Sequence, residues 1–339
     1  MKKILFFGIA VLAVLIICGF AACSTDASDE DFGVPEIEMV DIQPGTFLMG
    51  SAAGEVGVDE ERGERPQHEV TFTKGFQMGI YPITQGQYRA VTKKNPSLFQ
   101  GKIMQGGVNI LAGVNTDNLP VEQVSWYDAV EYCNRLSELQ ERTPAYTIIK
   151  AGTDPNNKNL STADPKWTVT PIPGTNGYRL PTEAQWEYAC RAGTTGPFNT
   201  GNNIKISQAN FRGTAYIQGE SEETYLGRTT EVDSFAPNAW GLYDMHGNVF
   251  ELCWDRIWQP KNAINFDEWK NFYEETSDKF TDPEGLVSGD RRAERGGSYR
   301  SGPEKIRSAF RERIQPQDRK YGNGDLGFRV VLPLEGSTW

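Results

Sequence analysis

The stretch "YRLPTEAQWEYACRAG", residues 178–193, carries a full set of helix punctuation. Thr182 and Gln185 stand at capping-box spacing, Pro181 precedes them and Gly193 follows. This predicts a short helix from Thr182, with a cap worth about 1 kcal/mol. Two further helices are expected. One starts at Thr84 in "TQGQYRAV". The other starts at Ser125 in "SWYDAVEYCNRLSEL", where Trp126, Ala129, Val130 and Cys133 share one face. With only three short helices, 35 Gly, 19 Pro and 8 Trp in 339 residues predict a loop-rich fold studded with aromatics, not a helical bundle.

Working outward, "MVDIQPGTFLMGS" (39–51) alternates apolar residues around a Pro-Gly turn and reads as a hairpin. "HEVTFTKGFQMGIYPIT" (68–84) reads as two strands, with Val70, Phe72, Phe76, Met78 and Ile80 at period two. A closing strand is expected around Phe328 to Val331. Residues 150–176, rich in Asn, Pro, Thr and Gly, and the acidic, aromatic stretch 256–290 read as surface insertions.

Lys2 and Lys3 precede an apolar run from Ile4 to Ala22, and "FAACS" then sets small residues before Cys23. This reads as a signal peptide over 1–22 with lipid attached to Cys23; a plain secretory signal and a membrane anchor are the alternatives. Acylation adds about 0.8 kcal/mol per buried CH₂, so several acyl groups on Cys23 would hold the chain on a membrane. Residues 23–37 read as an acidic polar tether, 38–333 as one domain and 334–339 as a tail. Loss of residues 1–22 removes two Lys and takes the net charge from −11 to −13. That charge argues against a nucleic-acid partner.

Cys133, Cys190 and Cys253 remain after the signal, each in an apolar or aromatic context, and read as buried hydrophobes. No CxxC, His-Glu-x-x-His, Walker loop or dinucleotide fingerprint is present. His68 and His246 lie in separate blocks and read as structural or surface residues.

Seven ordered blocks carry a family resemblance. They are "IQPGTFLMGS" (42–51), "ERPQHEVTFTKGFQMGIYPITQGQYRAV" (64–91), "LPVEQVSWYDAVEYCNRLSE" (119–138), the stretch 178–193, "NAWGLYDMHGNVFELCWD" (238–255), "RGGSY" (295–299) and "LGFRVV" (326–331). Together they resemble the sulfatase-modifying factor family, whose founding activity is formylglycine generation. The resemblance implies an α+β, irregular and loop-rich fold related to C-type lectins. It also implies a copper(I)-binding Cys pair after the "GGS" strand, which works with O₂. Ser301 stands at the first of those positions, the second has no counterpart, and no Cys follows Cys253. Copper(I) wants soft thiolates, so no copper is expected and catalysis of the family's kind is not expected. Atypical chemistry stays open as an alternative. The resemblance places the missing halves of two family disulfides near Val330 (for Cys133) and Ser308 (for Cys190).

The same resemblance points to structural calcium, which needs six to eight oxygen ligands. One set is Asp244, the carbonyls of Gly247 and Val249, and Glu251. The other is Asn210, the carbonyl of Phe211, Glu223 and the carbonyl of Tyr225. For both, a metal-free structural turn is the alternative.

Residues 291–329 hold nine Arg and two Lys against five acids. This reads either as a solvated face or as a ligand surface for an acidic protein or an anionic glycan. The chain is also similar to variable spirochaete lipoproteins, whose C-terminal codons are rewritten by a diversity-generating retroelement. That resemblance makes 291–331 the ligand-binding, variable face. Gly296, Gly297, Ser298, Gly327, Phe328 and Arg329 would be framework. Arg300, Ser301, Glu304, Lys305, Arg313, Gln315, Gln317, Arg319, Tyr321 and Asn323 would be exposed. The expected protein is a non-catalytic binding lipoprotein on the outer-membrane surface. A structural lipoprotein of an envelope secretion or motility complex is the alternative.

Overall fold

A computed structural model describes residues 33–59, 62–105, 108–157, 161, 163–213, 225–257, 280–285, 289–320 and 323–339. The three expected helices form where their caps stand. Helix α1 (Gln85–Thr92) has Thr84 as its N-cap, with Gln87 completing a capping box. Helix α2 (Trp126–Leu139) is capped by Ser125 and Asp128. Helix α3 (Glu183–Arg191) is capped by Thr182 and Gln185, and Ala192 ends it in the left-handed region. Each cap satisfies backbone N–H groups that a first turn cannot pair internally.

The strands depart from the hairpin expectation. Strands β1 (Met39–Ile42), β2 (Gly45–Met49), β3 (His68–Phe72) and β4 (Phe76–Gly79) pair as β1 with β4 and as β2 with β3. The Pro-Gly corner therefore passes the chain between two ladders instead of folding β1 onto β2. Alternation reports which face a strand buries and is silent about its partner. Two short pairs follow, β5 (Met104–Gln105) with β6 (Val108–Asn109) and β7 (Tyr146–Ile149) with β8 (Thr168–Pro171). Strand β8 lies inside the stretch read as an insertion.

Strands β9 (Phe250–Ile257), β10 (Arg291–Arg295), β11 (Glu312–Ile314) and β12 (Leu326–Gly327) make a sheet ordered β11-β10-β9-β12, with β12 parallel to β9. Strand β13 (Val331–Pro333) pairs with β4 in the other large sheet. The expected closing strand is thus split. Leu326–Gly327 joins one sheet, Val331–Pro333 joins the other, and Phe328 to Val330 cross between them.

Two large apolar clusters flank that crossing. One holds Trp126, Tyr132, Cys133, Phe328 and Val330. The other holds Phe72, Met78, Trp186, Cys190 and Cys253. Helix α3 is buried on every side, although Glu183, Glu187 and Arg191 recur along it at helical spacing. Their charges are matched inside the protein. Arg295 of β10 is wholly buried, pairs with Glu187 and sets its Nε 3.1 Å from Glu183 Oε1. Arg311 Nε donates to Glu183 Oε1 at 2.7 Å, and Arg191 pairs with Glu187 at 2.8 Å. Arg329, in the crossing segment, grips Glu251 of β9 through Nε and Nη2 at 2.6 and 2.7 Å. Burial alone would pull the Arg295 guanidinium down, but Glu187 and Glu183 outweigh it and hold its pKa above the usual value.

Removing one partner of such a buried pair strands the other charge, at a typical cost of about 3–5 kcal/mol. Arg295→Leu is therefore expected to lower unfolding free energy by about that amount. Denaturant titration of the two proteins checks it. A loss no larger than that of an exposed pair would mean the network contributes little.

Candidate functional site

Strand β10 runs into Gly296 and Gly297, both at positive φ (86° and 70°). A Cβ on Gly297 would stand 2.5 Å from Ile306 Cγ2 and 2.6 Å from Lys305 O, so the turn closes only on glycine. Ser298 then starts a tight turn in which Ser301 N–H donates to Ser298 O at 2.9 Å. The Ser301 hydroxyl accepts from Ser298 N–H at 3.0 Å and lies 3.4 Å from the Ser298 hydroxyl. Ser301 was expected to be exposed; it is buried, at 5% exposure. Its hydroxyl is spent on closing the turn. Where the family resemblance puts a thiolate, the chain has a turn-stabilising hydroxyl.

The other ligand-face candidates fall into three neighbourhoods. Arg300 Nη1 donates to Asn323 Oδ1 at 3.1 Å, beside Tyr299, whose hydroxyl donates to Asn323 O and whose ring stacks with Tyr225. Glu304 and exposed Lys305 sit on a short 3₁₀ turn, where a Cβ on Gly57 would lie 3.1 Å from Glu304 Cβ. Arg313, Gln315, Gln317 and Arg319 lie on β11 and the loop after it. There Gln317 Nε2 donates to Gln315 Oε1, Asn157 Nδ2 donates to Gln317 Oε1 at 3.0 Å, and Arg319 pairs with Asp128 at 2.7 Å. Arg313, Gln317 and Arg319 line an open basin of about 560 Å³ together with Arg291 and Lys320, which the sequence reading did not single out. Tyr321 lies outside the described residues.

Five of the eleven cations of residues 291–329 are internal. Arg292, Arg295, Arg307, Arg311 and Arg329 are all buried. Arg307 is matched by Glu55 and Glu64 at 2.7 and 2.8 Å. Arg292 lies 3.5 Å above the Trp126 ring and donates to Trp254 O. What remains at the surface is Arg291, Arg300, Lys305, Arg313, Arg319 and Lys320. Charge counting alone cannot separate counter-ions of buried carboxylates from surface cations; the buried Glu183, Glu187 and Glu251 lie far from them in sequence.

Around the first calcium set, Asp244 is in the left-handed region and Gly247 has φ +101°. A Cβ on Gly247 would stand 2.3 Å from Asn210 O, which brings the two sets together. Asp244 Oδ2 accepts from Asn248 Nδ2 at 3.1 Å. Burial raises the Asp244 carboxyl to about 7; Asn248 and Arg329 oppose the rise and Glu251 adds to it. Glu251 Oε2 takes donors from both Trp186 and Arg329, while Oε1 takes one from Arg329. Glu251 holds the Arg329 guanidinium as its ion pair, half-buried Asp244 feels that charge without contacting it, and Glu251 Oε1 keeps a lone pair. Val249 is fully buried beside them. In the second set Asn210 Nδ2 donates to Arg228 O at 3.0 Å and Asn248 Oδ1 at 3.2 Å. Phe211 is buried, Tyr225 is half-buried and Glu223 lies outside the described residues. Asn248, absent from the candidate ligands, links the sets: its backbone N–H also donates to Asn210 O at 2.8 Å.

His246 is buried, with Nδ1 2.6 Å from Ile306 O and Nε2 accepting from Asn199 N–H at 3.0 Å. Burial pushes its pKa down to about 4, which keeps the ring neutral. His68 packs against Phe280. Cys133, Cys190 and Cys253 are buried free thiols. Burial pushes the Cys190 thiol up to about 12, which makes it a poor nucleophile or metal ligand. Its Sγ lies 3.6 Å from Ser308 Oγ.

A family model described as the sulfatase-modifying factor enzyme 1-like domain matches residues 26–334. Chaperone protein LppX of Paenibacillus barcinonensis is 34% identical over 274 residues, covering 78% of this chain and 85% of that protein. The formylglycine-generating enzyme of Mus musculus is 27% identical over 311 residues, covering 87% and 74% of the two chains. Among solved structures, Treponema denticola variable protein 1 superposes with a TM-score of 0.64 at 27% identity, over 89% of this chain and 97% of the other.

The Cys190–Ser308 contact gives a direct check of local geometry. Ser308→Cys is expected to form a disulfide with Cys190 under oxidising conditions and to add about 2–4 kcal/mol of stability. Thiol titration and denaturation with and without reductant measure it; oxidation that leaves the thiol count of the variant unchanged would contradict the contact.

Proposed function

The chain belongs to the sulfatase-modifying factor family and has its α+β, loop-rich, C-type lectin-like fold, and on that scaffold we propose a membrane-anchored, non-catalytic, ligand-binding surface lipoprotein. The observation that carries this reading is the turn at 296–301. The glycine-dependent scaffold is kept, and the position where the resemblance implies a thiolate holds a buried hydroxyl closing the turn. Beyond it, partly or fully exposed polar residues, among them Arg300, Lys305, Arg313, Gln317, Arg319 and Asn323, alternate with buried ones. The segment is anchored at both ends by buried Ser298 and by buried Leu326, Phe328 and Arg329. An interior this firmly tied tolerates change at its exposed positions. The likeness to a variable protein supports a diversified face. Cys23 would carry the lipid.

A second reading is a structural or helper lipoprotein of an envelope complex, favoured by the relative whose name is that of a chaperone. Sequencing the gene's 3′ end across a population separates the two. Substitutions confined to codons between Arg300 and Asn323, with Gly296, Gly297 and Phe328 unchanged, are the expected result. A uniform tail, together with stoichiometric recovery of one envelope partner from cross-linked membranes, would overturn the first reading. The lipid is tested in the same cells, where Cys23→Ala should move the chain out of the membrane fraction.

Calcium is proposed at Asp244, Glu251 and the carbonyls of Gly247 and Val249. Half-buried Asp244 and buried Glu251 set two carboxylates near one guanidinium that only Glu251 contacts, a cation would offset the remaining charge, and Glu251 Oε1 has a lone pair to give. The ion would pin loops and take no part in chemistry. Chelation is expected to lower Tm by several degrees in the parent chain and to leave Asp244→Asn unchanged. Equal melting of the parent chain with and without chelator would exclude calcium there.

A further inference from the structure

We propose that the basin beside the β11 edge takes a carboxylate-bearing sugar, with Arg291 and Arg313 as the seat of the carboxylate. The inference rests on the binding reading above and names the chemistry of its ligand.

The two residues stand diagonally on one ladder. Arg313 of β11 is in register with Ala293 of β10, two residues from Arg291, and diagonal neighbours are within reach of long side chains. Both line the basin. Among the described residues, neither guanidinium has a carboxylate within ion-pair distance, and Arg291 Nε is buried without an acceptor. The neighbouring cations are already committed: Arg319 to Asp128, and Lys320 to Glu294. Arg313 also sits in a like-charged field. Burial first, then Arg62 and Arg291, push its pKa below the usual value. Two unpaired guanidiniums under mutual repulsion gain from an oxyanion between them, and their planar forks suit a carboxylate.

The rest of the lining selects among anions. Asp164 and Asp318 add two carboxylates; burial raises the Asp318 pKa, the nearby Arg291 opposes the rise and Asp164 adds to it. Those groups accept hydroxyl hydrogen bonds and repel a chain of successive negative charges. Gln317 offers an amide beside them. Among the described lining residues Ile314 is the one apolar side chain, which offers little to hold an aliphatic or aromatic peptide side chain. One anionic group surrounded by hydroxyls fits this arrangement, whereas a polyacidic peptide or a polysulfated chain meets repulsion.

The test is calorimetric titration of the full chain in detergent micelles with trigalacturonic acid, its methyl ester and a hexaglutamate peptide. The expected result is saturable binding of the uronate. Binding should fall at least tenfold with the ester and in the Arg291→Gln/Arg313→Gln double variant. It should be unchanged in Lys205→Gln, an exposed cation outside the basin. The double variant should melt within a few degrees of the parent, and Arg313→Lys should recover part of the affinity. Uronate binding that ignores the ester or the double variant overturns the site. Tighter binding of hexaglutamate overturns the sugar class and leaves the binding reading intact. No binding of any probe overturns this inference, while the sequencing result decides the binding reading separately.

Discussion

Arg295 organises the interior of this protein. Its guanidinium, wholly buried, joins β10 to helix α3 through Glu187 and Glu183. Arg311, Arg191 and Arg329 extend the same arrangement to the segment before β11, to the Gly50 turn and to β9. Such pairs are seldom a source of net stability against an apolar alternative, because both charges must leave water. Their effect is to specify geometry. A buried guanidinium with planar donors tolerates few arrangements of its carboxylates, and where the described residues form short strands and three short helices that specificity sets which loops meet.

The candidate ligand face depends on this interior. The residues that tie down its two ends are the glycine turn after β10 and the crossing segment that carries Arg329. Between them the chain passes buried Arg307 and Arg311, each locked to carboxylates contributed by distant parts of the chain. Side chains that face solvent between these anchors can change without disturbing the ion pairs. Scaffold and solvent-facing positions are therefore separable here at the level of single residues, an arrangement that the proposed binding surface requires.

The basic character of the C-terminal segment shows how local composition misleads. A run with a surplus of Arg reads as a surface patch, yet five of its nine Arg neutralise internal groups or stack on buried aromatics. Conversely, Arg291 drew no notice in the sequence, and it acquires significance only because β11 brings Arg313 diagonally beside it. Ser301 is a third case. Its place in the motif was legible, while its burial follows from the turn that its own hydroxyl closes.

By itself the sequence determined the three helices and their caps, because those hydrogen bonds form within three residues of each other. It determined the family and the α+β, lectin-like class through seven ordered blocks, and it determined the absence of thiols after Cys253. Only the tertiary structure decided that β1 pairs with β4 and not with β2, that "LGFRVV" divides between two sheets, and that Glu183, Glu187 and Arg191 form a buried stripe. Alternation and helical period state which side chains share a face. They carry no information about which distant strand or guanidinium that face will meet, since the free energy deciding it comes from burying both partners together.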